Sequence, residues 1–159
     1  MFNWLKRLFL LSMVAVLAAC GGDDDEHRVI VDVAKGDPRL SILVEAVTAA
    51  DLAGTLSAAG PYTVFAPTND AFAALLAELG VTKDQLLANK PLLTAVLKYH
   101  VLAGRVPAAQ VPLGKAITPL EGGIFKIDQV DGALRTTDGR NRSGRILQTD
   151  VEASNGVIH

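Results

Sequence analysis

Few residues of this chain could do nucleophilic or acid–base chemistry. His27, His100 and His159 lie far apart, with Ser41, Ser57, Ser143 and Ser154 scattered among them. None of these serines sits in a Gly-x-Ser-x-Gly elbow, and no His-Glu-x-x-His helix exists. A triad can assemble in space without any sequence signature, so a hydrolase is the weakest of three readings. Cys20 is the only cysteine, which excludes an internal disulfide and a CxxC-type zinc site. Asp23, Asp24, Asp25 and His27 form an acidic run without the preformed cage a cation needs. No metal and no cofactor are expected.

The chemistry most clearly written in the sequence is at Cys20. Lys6 and Arg7 give a positive start, Leu8 to Ala19 is an apolar stretch, and Leu17-Ala18-Ala19 precedes the cysteine. A membrane-spanning helix needs about 20 apolar residues. This run is shorter and stops at Gly21-Gly22-Asp23-Asp24-Asp25-Glu26. The pattern resembles the bacterial lipobox, which implies cleavage after Ala19 and acylation of the Cys20 thiol. Acyl chains inserted at about 0.8 kcal/mol per buried CH2 would hold the chain to a bilayer. Residues 1–19 are therefore read as a leader. Residues 20–27 are read as a lipidated cysteine with a flexible, self-repelling tether.

The composition narrows the rest. The chain has 159 residues, half of them hydrophobic and only 20% charged. That suits one folded domain, and excludes a disordered charged tail. A net charge of −2 disfavours nucleic acid as a partner. Aromatic residues at 5% disfavour a stacking platform for bases or sugars.

The elements that would position any site follow from patterning. Val29 to Ala34 is an apolar run that suits strand or helix. Asp37-Pro38 starts a helix carrying Leu40, Leu43, Val44 and Val47. A short helix through Leu52 and Leu56 should stop at Gly60-Pro61. Tyr62 to Ala66 is a strand closed by Pro67. Helices are predicted over Ala71–Leu79, after Thr82 with Gln85 as a capping box, and from Asn89-Lys90-Pro91 to Tyr99-His100. Ile124 to Val130 alternates by two, Asp131-Gly132 is a hairpin turn, and Ala133 to Thr137 returns. Arg145 to Val151 is a further strand candidate. Ser154-Asn155-Gly156 is a second turn, which would use glycine's and asparagine's tolerance of positive φ. Val157-Ile158-His159 begins a last strand. Helices lead and antiparallel strands follow, which implies an α+β fold.

Three ordered blocks carry a family resemblance. Thr63-Val64-Phe65-Ala66-Pro67-Thr68-Asn69-Asp70-Ala71-Phe72 resembles the first block of fasciclin domains. Tyr99-His100 resembles their central Tyr-His motif, and Asn155-Gly156-Val157-Ile158-His159 resembles the start of their second block. The resemblance covers residues 28–159. It implies a wedge of two steeply packed β-sheets with helices along one edge. Family members continue past the second block with a hydrophobic strand, whereas this sequence stops at His159. The last strand is therefore expected to be truncated, or the sequence to be a fragment. A missing strand would leave a neighbour unpaired.

The resemblance also implies a function. In animal members the Tyr-His region and its aliphatic flanks are implicated in integrin-mediated adhesion. The matching positions are Leu97, Tyr99, His100, Val101 and Leu102, with Asp150-Val151 at an Asp-Ile site used before the second block. Glu152 stands where a methionine is common there. The leading expectation is a non-catalytic adhesion module, lipid-anchored in the bacterial cell envelope on its extracytoplasmic side, with a protein or polysaccharide ligand. A structural part of an envelope complex is the alternative, ahead of an envelope hydrolase. Arg135, Arg140, Arg142 and Arg145 around the Asp138–Gly144 loop form either a solvated hairpin tip or a contact for anionic polysaccharide or lipid headgroups.

Overall fold

The computed structural model describes residues 28–159. The leader read at 1–19, and Cys20 with its tether at 20–27, lie outside them. The ambiguous first segment is helical: α1 (Ile30–Lys35) buries Ile30, Val31 and Ala34. Its preceding residue, Val29, offers no side-chain cap. The Ile30 amide instead donates to Asn155 Oδ1 at 2.9 Å, a partner 125 residues away. A tertiary contact thus decides a choice that branched side chains leave open.

The next elements form for local reasons. The Asp37 carboxylate accepts from the Arg39 amide at 2.9 Å, and a 3-10 turn over Pro38–Leu40 leads into α2 (Ser41–Ala49). After α3 (Ala53–Ser57) and β1 (Tyr62–Val64), α4 (Asn69–Leu79) starts where Thr68 Oγ1 accepts from the Ala71 amide. Asn69 ties that start to α2, accepting from the Ile42 amide at 3.1 Å and donating to Pro38 O at 3.1 Å. Gly80, at φ 65°, ends α4. Thr82 and Gln85 form the expected capping box of α5 (Lys83–Ala88). Asn89 caps α6 (Lys90–Tyr99) through the Leu92 amide.

The described residues form eight strands in two sheets. In the first, the order is β2 (Val101–Ala103), β1, β8 (Gly156–Ile158), β7 (Val151–Ala153). Strands β1 and β8 run parallel and the other pairs antiparallel. The second is an antiparallel meander of β3 (Ala116–Ile117), β4 (Phe125–Val130), β5 (Ala133–Asp138) and β6 (Ser143–Arg145). Asp131 and Gly132, at φ 52° and 77°, make the expected hairpin between β4 and β5.

Two cores follow from strand alternation. Val64, Val101 and Ile158 share one face of the first sheet and pack against Ile30, Leu43, Leu93 and Leu97 of the helices. Phe65 and Leu102 point the other way, and join Ile117, Phe125 and Ile127 between the sheets. The helices thus cover one face of the first sheet.

Two expectations need correction. Residues 145–151 are not one strand: β6 ends at Arg145 and β7 begins at Val151. Between them the chain passes from the second sheet to the first. Asp150 sits at φ 57°, its carboxylate accepting from the Ala108 amide at 2.8 Å. Strand β8 is paired on both flanks, parallel to β1 and antiparallel to β7. Continuing that ladder, the His159 amide donates to Val64 O and the Ala66 amide to His159 O, each at 2.9 Å.

The Asn155-Gly156 turn does not rely on positive φ, which neither residue adopts. Asn155 is buried and donates to Leu56 O at 2.7 Å and Ala58 O at 2.9 Å. Gly156 is needed for close approach, since a Cβ there would lie 2.1 Å from Tyr62 O. Asn155→Ala removes three hydrogen bonds at one buried point. It should cost about 3 kcal/mol, given 1–3 kcal/mol for each buried group left unsatisfied. Urea unfolding should show a lowered midpoint with unchanged slope. A loss below about 1 kcal/mol would show the three bonds to be dispensable.

Candidate functional site

The Tyr-His corner is built where α6 gives way to β2. The Tyr99 hydroxyl donates to Ile124 O at 2.8 Å. Its ring stands edge-on to His100 and tilted against Phe125, with centroids 5.8 Å apart in each pair. Burial pushes the Tyr99 phenol above its usual value, and nearby Asp138 adds to the rise. His100 Nδ1 lies 2.7 Å from Val96 O, so that nitrogen carries the proton. Burial holds the imidazole below the ordinary histidine range, against the smaller opposing effect of that hydrogen bond.

A row of rings links this corner to the end of β8. Phe125 meets Phe65 edge-on at 5.4 Å, and Phe65 meets His159 at 5.2 Å. His159 Nε2 lies 2.8 Å from Val106 O, and Nδ1 accepts from the Asp150 amide at 3.2 Å. Tyr99, His100 and the Asp150-Val151 site thus belong to one connected framework. Beside Phe65, His100 and His159 opens a cavity of about 640 Å³.

The flanking aliphatic residues are elsewhere than a binding surface requires. Leu97 and Val101 are 2% and 4% exposed in the helix-side core, and Leu102 is 6% exposed between the sheets. They are core, because the end of α6 and the start of β2 both face inward. Val151 is half-buried against the first core, and Asp150 is exposed. What the corner offers to solvent comes from the following loop. The Leu120 amide donates to Val101 O at 2.9 Å, and Leu120 and Ile124 are 44% and 56% exposed. A Cβ on Gly123 would come within 3.0 Å of the Tyr99 ring, so this loop lies directly on it.

The arginines at the hairpin tip divide. Arg142 is held by Glu78 at 2.6 Å and Asp138 at 2.5 Å, which makes it a bridge to α4. Arg135 and Arg145 are directly opposite on β5 and β6. Among the described residues no three His, Cys, Asp or Glu side chains converge as a metal site would require. Ser41 Oγ is engaged with Asn69 rather than with a histidine.

Residues 38–159 match the model of the fasciclin domain family. The chain belongs to the fasciclin family. It is 46% identical over 136 residues to Protein sll1483 of Synechocystis, covering 85% of this chain and 71% of that protein. It is 35% identical over 130 residues to the transforming growth factor-beta-induced protein ig-h3 of Sus scrofa. That match covers 82% of this chain but 18% of the animal protein. The fold is similar to that of a FAS1 domain pair from the insect cell adhesion molecule Fasciclin I, with a TM-score of 0.69 at 12% identity. There the likeness covers 83% of this chain and 48% of the insect chain. The fasciclin fold is thus the α+β arrangement of two sheets and helices described above.

The His100 environment sets a pH dependence. An imidazole with a folded pKa below its ordinary 6.5 takes up a proton on unfolding between the two values. Its contribution to stability is present above about pH 6.5, falls as pH drops toward the folded value, and is level below that. His100→Gln should remove this part of the slope in urea melts between about pH 7.5 and 5. An unchanged slope would show that His100 titrates alike in both states.

Proposed function

We propose that this fasciclin protein is a lipid-anchored, extracytoplasmic binding module of the adhesive type, which holds a partner without transforming it. The observation that carries the reading is the family match over residues 38–159, on a fold shared with an insect cell adhesion molecule. The state of the histidines supports it. His100 and His159 are each bound to backbone, and a base tied up in this way is poorly placed to take a proton from a nucleophile.

The contact surface is the Tyr99 corner as seen from outside. Leu97, Val101 and Leu102 support it from within, while Leu120 and Ile124 meet the partner. Exposed aliphatic tips gain by shedding water against another apolar surface, which favours a protein ligand over a polysaccharide. Anchoring through acylated Cys20 would set many copies on one membrane, so that a modest patch gains by avidity.

The test is capture of partners from the native envelope by the anchored protein, after chemical cross-linking. Ile124→Asp together with Leu120→Asp should reduce the captured partner about tenfold, equivalent to about 1.4 kcal/mol, without lowering the melting temperature. Equal capture would remove this corner from the contact. Separately, Cys20→Ala should release the protein from membranes, and undiminished membrane retention would contradict the anchor.

A further inference from the structure

The cavity between the 3-10 turn before α2 and the crossing segment 146–150 has a composition that the adhesive reading does not use. At about 640 Å³ it falls within the 300–1,000 Å³ of ordinary small-ligand sites. Phe65, Pro67 and Leu147 give it an apolar wall. Leu147 is 64% exposed, the highest among the large hydrophobic residues described as exposed. Leaving it so costs free energy that an apolar ligand would recover.

The charges around the cavity are unequal. Arg28, Arg39 and Arg145 line it with Asp37 and Glu152. Both carboxylates are already paired. Asp37 lies 2.6 Å from Arg39, and Glu152 is bound by Arg105 from outside the cavity. Arg145 makes no ion pair among the described residues, and the strand register sets it directly opposite Arg135. Arg135 Nε is sealed from solvent without an acceptor. Like charges directly opposite destabilise a strand pair, and a buried donor without an acceptor adds to the cost. An anion seated at Arg145 offsets the repulsion.

The wall is open in construction. Segment 146–150 lies outside the strands, although its Ile146 amide still donates to Leu134 O of β5 at 2.9 Å. Gln148 Oε1 accepts from Arg39 Nη2 at 3.0 Å, tying the segment to the opposite side of the cavity. The cavity is thus bounded without a continuous ladder on that side.

We propose that this cavity binds a single-chain anionic amphiphile, its apolar body against Phe65, Pro67 and Leu147 and its carboxylate or phosphate at Arg145. A hydrophilic anion would leave the apolar wall unused, and a neutral lipid would leave Arg145 unpaired. The site is separate from the Leu120–Ile124 corner, so either reading can fail alone.

The test uses the full chain isolated from its native membrane and placed in phosphatidylcholine nanodiscs. Three probes carry the same photoreactive alkyl chain: a fatty acid, a lysophosphatidate and an uncharged monoacylglycerol. Residue-level mass spectrometry locates the adducts. Labelling is expected at residues 65–67 and 145–148 with the acid, the lysophosphatidate or both, and at least tenfold less with the uncharged probe. The stronger of the two anionic probes identifies the headgroup. Arg145→Ala should reduce labelling about tenfold, with a melting temperature unchanged or raised because the opposed pair is relieved. If that variant folds poorly, Arg145→Gln replaces it with the same expectation. Ile124→Asp should label as the parent does. Equal labelling by the uncharged probe, adducts confined to other residues, no adducts, or undiminished labelling of a folded Arg145 variant would each overturn the proposal.

Discussion

Asn155 holds together two stretches of chain that lie 97 to 125 residues from it: the end of α3 with the residue following it, and the start of α1. A buried amide side chain is tolerable only when its donors and acceptor are satisfied, and here each is met by backbone. The bonds are made beside Gly156, whose missing side chain lets β8 press against Tyr62 O. A second glycine, Gly60, allows the same closeness from the other side, since a Cβ there would lie 2.3 Å from Asn155 O. With β8 fixed between β1 and β7, His159 reaches Phe65, Phe65 reaches Phe125, and Phe125 reaches Tyr99. The corner and the cavity both stand on that row.

Local signals in the sequence were legible wherever the cause was local. The Thr82–Gln85 capping box and the Asp131-Gly132 hairpin each depend on residues within a few positions, and each is found as expected. The α1 helix was not decidable, because its deciding bond comes from Asn155. Segment 146–150 reads as strand by composition, yet it must cross from one sheet to the other. Nothing in its own residues states where the second sheet ends. Asn155-Gly156 was legible as a turn, but its chemistry lies in contacts that no spacing rule contains.

The candidate site was legible in part for the same reason. Tyr99 and His100 stand at a helix end, a position visible in the pattern. The burial of Leu97, Val101 and Leu102 depends on both cores being assembled, which a single helix or strand cannot reveal. The exposure of Ile124 was visible in principle. Period-two alternation groups it with Lys126 and Asp128 and opposite Phe125 and Ile127. Leu120 carried no such signal, since it follows Pro119 in a segment without periodicity. The electrostatic imbalance at Arg145 appears only in the strand register.

Native-state hydrogen exchange at the Ile30 amide measures the Asn155 junction most directly. A first-turn amide of a six-residue helix would ordinarily fray and exchange with little protection. If Asn155 locks α1 to β8, Ile30 exchanges only as the whole domain opens, with the same free energy as the Val157 amide in the sheet. Exchange of Ile30 at a much lower free energy than Val157 would show that α1 opens alone and would contradict the junction.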